Sequence, residues 1–152
     1  MKWITTANVH FDRVASPWLI KRFIDPKAEF LFEKRGQEDR RPKDAIPFAI
    51  PGIAKLGPHD KDGTTFHKLV KDYKLEDPAL DLMVKVVDAG VSYVLEGYRP
   101  PASDREGQIA VGFLALSDGM ILLKTLDQER LDASYPAWDA LYALFKSNKR
   151  DL

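Results

Sequence analysis

The hydrophobic pattern of this chain changes its period at Thr64, and that change restricts the possible folds more than any other feature. Before Thr64, short apolar runs are separated by glycine, proline and charged turn residues, which is typical of short β-strands. After Thr64, apolar residues recur at i, i+3, i+4 and i+7, which predicts amphipathic helices. We therefore expect an α+β fold with one domain over residues 1–152. A small N-terminal sheet of three to four strands should pack against a C-terminal set of about five helices.

Three segments of the first half have strand-like sequences. They are KWITT at residues 2–6, AEFLFEK at residues 28–34 and AIPFAI at residues 45–50. Pro47 cannot donate a hydrogen bond to a neighbouring strand, so we expect the third strand at an edge of the sheet. A short fourth strand near residues 53–56 remains an open alternative.

Capping residues mark the expected helix starts. Ser16 followed by Pro17 predicts a helix over residues 16–24, because serine favours the N-cap and proline the first helical position. Thr64 or Thr65 is expected to cap the next helix, which runs to about Tyr73. The remaining helices are expected to start at Asp77–Pro78, Asp104, Gly119 and Pro136. The helix from Asp104 should end near Ser117, and the helix from Gly119 should end near Leu131.

Charge and hydropathy argue against several classes of partner. Lys+Arg and Asp+Glu both number 23, whereas a nucleic-acid-binding domain is expected to be strongly basic. The longest apolar run, GMILL, is far shorter than the stretch needed to span a bilayer. The N-terminus lacks the apolar core of a signal peptide. We expect a cytoplasmic protein with neither a nucleic-acid nor a membrane partner.

The chain has no cysteine, and this restricts its chemistry. Disulfides, thiolate metal ligands and thiol redox steps within the chain are excluded. The sequence also has no Walker loop, no G-x-G-x-x-G and no G-x-S-x-G. We therefore expect no nucleotide cofactor.

Residues 11–30, FDRVASPWLIKRFIDPKAEF, resemble the C-terminal domain of ChrB-type chromate-resistance proteins. The segments IPFAIPG, GPHDKDGTTFHKLVKDYKLEDPAL and WDALY also resemble the family pattern, so the resemblance covers nearly the whole chain. Family members often have cysteine where this chain has Ser16, and again near Thr64. The resemblance therefore does not carry thiol-based chromate chemistry over to this chain. Longer members carry an additional N-terminal domain associated with chromate-responsive regulation, which this sequence does not match.

Two of the three histidines are expected to lie near a carboxylate on the apolar side of a helix. His59 precedes the helix that starts at Thr64, and His67 lies in its first turns. Asp88 shares the apolar side of the next helix with Val84. Because the two helices should be antiparallel, His67 and Asp88 become neighbours. His59, His67 and Asp88 are thus predicted to bind a divalent zinc, iron or manganese ion, with an open position for Lewis-acid chemistry.

Other interpretations of these residues remain open. The spacing of His59 and His67 matches no recognised metal motif such as H-E-x-x-H. His59 could be a surface turn residue, and Asp88 could cap a helix or pair with a lysine. His10 is a further candidate, either as a fourth ligand or as a group that supports the ligands. The residues Glu96, Tyr98 and Arg99 lie in a loop that could overhang a cleft.

Arg13 is the candidate anion-binding residue. It lies just before the expected helix start, where backbone N–H groups and a guanidinium favour an oxyanion such as chromate or a substrate carboxylate. The charged residues around it are Asp12, Lys21 and Arg22. The alternative, which we favour on sequence alone, is that Asp12 and Arg13 form a structural ion pair between strand and helix.

Three functional hypotheses follow. The first is a metal-binding protein, plausibly a small metalloenzyme that acts on an anionic small molecule. The second, which the family resemblance implies, is a non-catalytic oxyanion-sensing or regulatory module linked to chromate resistance. The third is a structural interaction protein without either site. A small anionic ligand is the expected partner, and a homo-oligomer is compatible with the sequence.

Overall fold

The structure is a computed structural model that describes residues 1–52 and 55–148. Its sheet has three parallel strands in the order β2-β1-β3, with β1 at Lys2–Thr6, β2 at Glu29–Glu33 and β3 at Ala45–Pro47. The central strand β1 is buried at Trp3, Ile4 and Thr5, as expected for a parallel sheet covered on both faces.

The third strand lies at an edge of the sheet, as Pro47 predicted. It ends at Pro47 rather than at residue 50, because Ala49 has a positive φ of 52° that turns the chain away. The alternative fourth strand falls partly outside the described residues, at positions 53 and 54. Its other two residues, Lys55 and Leu56, are not in a strand.

The expected α+β class is confirmed. Helix α1 lies between the first two strands, and four further helices follow the sheet, which makes five α-helices in the described residues. Helix α1 packs against α2, α3 and α5, and α3 packs against α4 and α5. The helices are α1 at Asp12–Leu19, α2 at Thr65–Asp72, α3 at Pro78–Leu95, α4 at Arg105–Leu123 and α5 at Asp127–Lys146.

The predicted start of the first helix was wrong. Helix α1 begins at Asp12, four residues before Ser16. It starts there because Phe11 adopts a positive φ of 43°, and the Phe11 carbonyl accepts hydrogen bonds from the N–H groups of Val14 and Ala15. Ser16 therefore lies inside the helix, where its hydroxyl donates to Asp12 Oδ1 at 2.9 Å. Pro17 also lies inside the helix, which continues into a π-helical turn at Ile20–Ile24.

The boundary between the last two helices was also placed wrongly. Gly119 does not start a helix, as predicted, but lies within α4, since an isolated glycine costs only about 1 kcal/mol there. Pro136 lies within α5 rather than at its start. Helix α5 tolerates this proline because it buries a continuous apolar face, which consists of Leu131, Tyr135, Trp138, Leu141 and Phe145.

The caps of α2 and α3 were predicted correctly. Thr64 caps α2, and its hydroxyl oxygen accepts from the His67 N–H at 3.2 Å. Asp77 caps α3 through the Ala79 N–H at 2.9 Å, with Pro78 at the first helical position. These caps depend on residues close in sequence, which explains why the sequence reveals them.

Trp18 joins α1 to the helices packed around it. Its side chain is fully buried, and its ring stacks on Phe66 of α2 with the centroids 6.4 Å apart. Its indole N–H donates to Asp139 Oδ1 of α5 at 2.7 Å. Arg22 binds the same carboxylate through two hydrogen bonds of 2.9 Å and lowers the pKa of Asp139 below its ordinary value.

Helix α4 is long and apolar enough to meet a simple criterion for a membrane span. An 18-residue window of Arg105–Leu123 has a mean hydropathy of 1.3, and 22% of that window is buried. This differs from the expectation based on the GMILL run alone, because large apolar residues before that run extend the apolar stretch, namely Ile109, Val111, Phe113, Leu114 and Leu116. Length and composition are weak evidence for a span, since core helices of soluble proteins meet the same criterion.

We expect Asp139→Ala to lower the free energy of unfolding by about 1–3 kcal/mol, because the buried indole N–H of Trp18 loses its acceptor. The matched control is Asp132→Ala on the same helix, where an exposed carboxylate accepts only from Gln128, and a loss of about 0.5 kcal/mol or less is expected. Urea unfolding measures both. Equal losses in the two variants would contradict the role assigned to Asp139.

Candidate functional site at the carboxyl end of the sheet

The loops that follow β1 and β3 meet at the carboxyl end of the sheet. Strand β1 is flanked by β2 on one side and β3 on the other, and in open parallel sheets such a switch in strand order leaves a crevice that binds ligands. A cavity of about 210 Å³ lies there. Its walls come from both loops and from α1, α3 and α4. The residues that line it are His10, Phe11, Asp12, Arg13, Ala49, Pro58, His59, Gly90, Val91, Val94, Leu95 and Leu114.

Both loops hold a non-glycine residue in left-handed backbone geometry at the cavity wall. Phe11 has a φ of 43° and Ala49 a φ of 52°, conformations that cost of order 1–3 kcal/mol each. The Phe11 ring packs so tightly against Gly90 that a Cβ at position 90 would overlap it. Strain of this kind is concentrated at functional sites in proteins, which supports a role for this cavity.

Arg13 binds the loop after β1 rather than the neighbouring Asp12. Its guanidinium donates from Nη1 to the carbonyls of Thr6 at 2.7 Å and Ala7 at 3.2 Å, and from Nη2 to the carbonyl of Asn8 at 3.2 Å. The Asp12–Arg13 ion pair that we favoured from sequence is not formed. Arg13 is structural, as that alternative held, but its partners are backbone carbonyls.

The charge of Arg13 has no carboxylate within salt-bridge distance in the part of the chain that the structure describes, and Asp127 and Asp12 act on it only at longer range. Burial lowers the pKa of Arg13 below its ordinary value, and the nearby charge of Arg35 lowers it further, against the opposing effect of Asp127. An arginine remains protonated after such a shift. A half-buried positive charge without a direct salt-bridge partner is therefore present at the edge of the cavity.

Arg13 also lines a larger open cleft of about 800 Å³ on the other side of the same loops. Arg35 and Arg41 line this cleft as well, together with Glu38, whose carboxylate accepts from the Gly36 N–H at 3.0 Å. The charge of Arg41 is compensated, because its guanidinium binds both oxygens of Glu33 at 2.9 and 2.6 Å. Among the described residues that line this cleft, called the basic cleft below, Arg13 and Arg35 are therefore the two cations without a salt-bridge partner.

Asp12 caps helix α2 from the beginning of α1. Its carboxylate accepts hydrogen bonds from the N–H groups of Thr65 at 3.2 Å and Phe66 at 3.3 Å, in addition to the Ser16 hydroxyl. Burial raises the pKa of Asp12 above its ordinary value, and the charge of Asp88 adds to the rise, whereas these hydrogen bonds oppose it. The residue that follows the strained Phe11 thus ties the two halves of the chain together.

Each of the three histidines pairs with a different carboxylate. The distances are 2.8 Å from His10 Nε2 to Asp118 Oδ1, 2.7 Å from His59 Nε2 to Glu96 Oε1, and 3.2 Å from His67 Nδ1 to Asp88 Oδ2. The first two pairs lie at the cavity, and the third lies in a separate groove beside α2 and α3.

The predicted metal ligands are therefore only partly brought together. His67 and Asp88 are neighbours, as the antiparallel helices predicted, and Thr64 donates to Asp88 Oδ1 at 2.8 Å. His59 pairs with Glu96 instead, although its Nδ1 is buried without a hydrogen-bond partner. Within residues 1–52 and 55–148, no three histidine, aspartate or glutamate side chains are grouped as metal ligands.

Sequence reasoning missed Asp118 and Arg35, and it named Glu96 without predicting that this residue pairs with His59. Asp118 and Glu96 lie 108 and 37 positions from their histidines, so only the fold brings them there. Arg35 could have been found from its basic neighbours in the KRGQEDRR segment. Of the loop residues named from sequence, Glu96 reaches the cavity through His59. Tyr98 donates to Asp104, and Arg99 stacks on Tyr93.

Comparison with known proteins gives one family. The family model described as "ChrB, C-terminal domain" matches residues 3–145. A protein named "Protein ChrB" from Cupriavidus metallidurans is 32% identical over 155 residues, which cover 98% of this chain. The chain spans 42% of the length of that relative. No solved structure matches.

Asp12 should make the stability of the protein depend on pH. The pKa of Asp12 is raised in the folded state. Its contribution to the free energy of unfolding is therefore fully present below the pKa of an unfolded aspartate, about 4, and is lost as the pH rises through the pKa of Asp12 in the folded protein. We expect Asp12→Asn to flatten this fall in the free energy of unfolding, measured by urea titration from pH 4 to pH 8. The exposed Asp132→Asn should keep the slope of the wild type. Parallel curves for wild type and Asp12→Asn would contradict the assignment.

Proposed function

The chain belongs to the ChrB C-terminal domain family, and on that premise we propose that it is an oxyanion-binding module linked to chromate resistance. The observation that carries the proposal is the half-buried charge of Arg13, which has no carboxylate within salt-bridge distance in the described residues. Buried charges in proteins are normally paired. A tetrahedral dianion in the basic cleft would supply the missing counter-charge.

The guanidinium of Arg13 suits this role because it is already fixed in place. Hydrogen bonds to three carbonyls take up three of its five N–H donors, so the remaining two keep a defined direction. A preorganised donor loses little side-chain entropy on binding. The strained loop geometry at Phe11 and Ala49 supports the same interpretation, since both residues lie beside Arg13.

Arg35 supplies the second positive charge of the proposed site. It lies near enough to Arg13 to lower the pKa of that residue, and like charges brought together repel unless an anion lies between them. At an exposed site, each unit charge near an anion contributes on the order of 1 kcal/mol. Two arginines would favour a dianion such as chromate over a monoanion of similar size.

We expect Arg35→Gln to weaken chromate binding about fivefold or more, because one exposed charge at the site is worth about 1 kcal/mol for each charge of the anion. The matched control is Arg40→Gln, which removes one exposed positive charge from the same segment but outside the basic cleft. Calorimetric titration with chromate, with sulfate as a competitor, measures both variants. The absence of chromate binding in the wild type would refute the proposal, as would equal weakening in both variants.

A metal-dependent function is the second candidate, and the His67–Asp88 pair favours it. This pair offers two of the three protein ligands that a catalytic zinc site uses. His59 is the third ligand proposed from the sequence, and its buried Nδ1 lacks a partner. It would have to leave Glu96 to join the pair. A bound ion there would act as a Lewis acid, while His67 and Asp88 would hold it.

For the metal candidate, we expect the purified chain to hold one equivalent of zinc, iron or manganese by elemental analysis. His67→Ala and His59→Ala should both lose it, because each removes one of the three ligands. His10→Ala is the matched control, since His10 pairs with Asp118 on α4, and it should keep the metal. Substoichiometric metal in the wild type after growth and dialysis with each ion would refute this candidate.

A further inference from the structure

The side of α4 that faces solvent is apolar. The buried residues of this helix, Gly107, Ala110 and Leu114, all lie on one side. On the other side, large apolar residues are exposed, with 58% of Leu116 and 88% of Leu122 accessible. The solvent side of a helix in a monomeric protein is normally polar, and a contiguous apolar patch marks an interaction surface.

The exposed residues of α4 follow the spacing of a helix–helix contact. Gln108, Gly112, Ala115, Gly119 and Leu122 alternate by four and three positions, which keeps them on one line along the helix. A Cβ added at either Gly112 or Gly119 would meet no atom within 4 Å. The centre of this line is therefore an open, shallow groove that another helix can approach closely.

We infer that a second copy of this chain covers this face, with the two α4 helices antiparallel about a two-fold axis near Ala115. A two-fold interface requires a surface that complements itself. An axis between Ala115 and Leu116 places Gly112 of one copy opposite Gly119 of the other, so that small residues meet small residues. The antiparallel arrangement also sets the positive end of each helix dipole beside the negative end of the other.

The available area fits a dimer of modest affinity. Helix α4 has 19 residues and is roughly 28 Å long, at about 1.5 Å per residue. A contact along that length, with Leu122 of one copy at each end, falls near the lower limit of about 1,000 Å² of total buried surface for a specific interface. We therefore expect dissociation in the micromolar range, where small specific interfaces often lie.

The charges near this face favour a second copy over a lipid surface. Helices that lie on membranes carry lysine and arginine along their polar side. Between Glu106 and Lys124, however, the only charged residue of this chain is Asp118, and that carboxylate is paired with His10. Nothing along this stretch would attract an anionic membrane.

Sedimentation velocity of the full chain over a range of concentrations tests the inference. The wild type should change from monomer to dimer in the micromolar range. Ala115→Glu and Ala115→Lys should each weaken dimerisation at least about tenfold, because the axis brings the two like charges together. Mixing these two variants should restore the dimer as a heterodimer. Ala102→Glu, at an exposed loop position three residues before α4 and roughly 20 Å from the proposed axis, is the matched control and should behave as the wild type.

The absence of cysteine gives a second, independent measurement. Ala115→Cys should form a disulfide-linked dimer under mild oxidation, and Ala102→Cys should not. A wild type that stays monomeric at several hundred micromolar would overturn the inference. So would a mixture of the Glu and Lys variants that remains monomeric, or a wild type that does not dimerise but sediments with anionic phospholipid vesicles.

Discussion

The hydrogen bonds from Arg13 to the carbonyls of Thr6, Ala7 and Asn8 hold the part of the chain on which the rest of the site depends. They fix the turn that leaves the central strand, and the chain then enters α1 through the strained Phe11. Asp12 follows and caps α2, whose first residues are more than fifty positions away. One arginine therefore sets the geometry that connects the sheet to the helices.

The same arrangement lowers the free energy of unfolding, and the features that lower it lie close together. Phe11 and Ala49 are held at positive φ, Asp12 is partly buried with a raised pKa, and the charge of Arg13 has no carboxylate within salt-bridge distance in the described residues. A fold optimised only for stability would avoid such features. Their concentration at the carboxyl end of a parallel sheet agrees with the proposed binding of a small anion there, where such folds place their ligands.

The sequence predicted those parts of the fold that depend on neighbouring residues. The strands, the caps of α2 and α3, and the pairing of His67 with Asp88 all follow from local patterns and one antiparallel connection. The start of α1 could not be predicted, since it depends on a positive φ at Phe11 that Gly90 of α3 accommodates. The partners of His10 and His59 were missed for the same reason, because Asp118 and Glu96 reach them only through packing. The helix starts predicted at Gly119 and Pro136 were wrong, because the packing of α4 and α5 outweighs the low helix propensity of glycine and proline.

The central claim is that Arg13 and Arg35 bind one oxyanion together, and NMR of the arginine Nε–H groups during a chromate titration tests it most directly. We predict that the Arg13 and Arg35 resonances shift with a common midpoint, while the Arg40 resonance stays in place. Shifts of Arg40 equal to those of Arg13, or an unchanged Arg13 resonance at saturating chromate, would contradict the account.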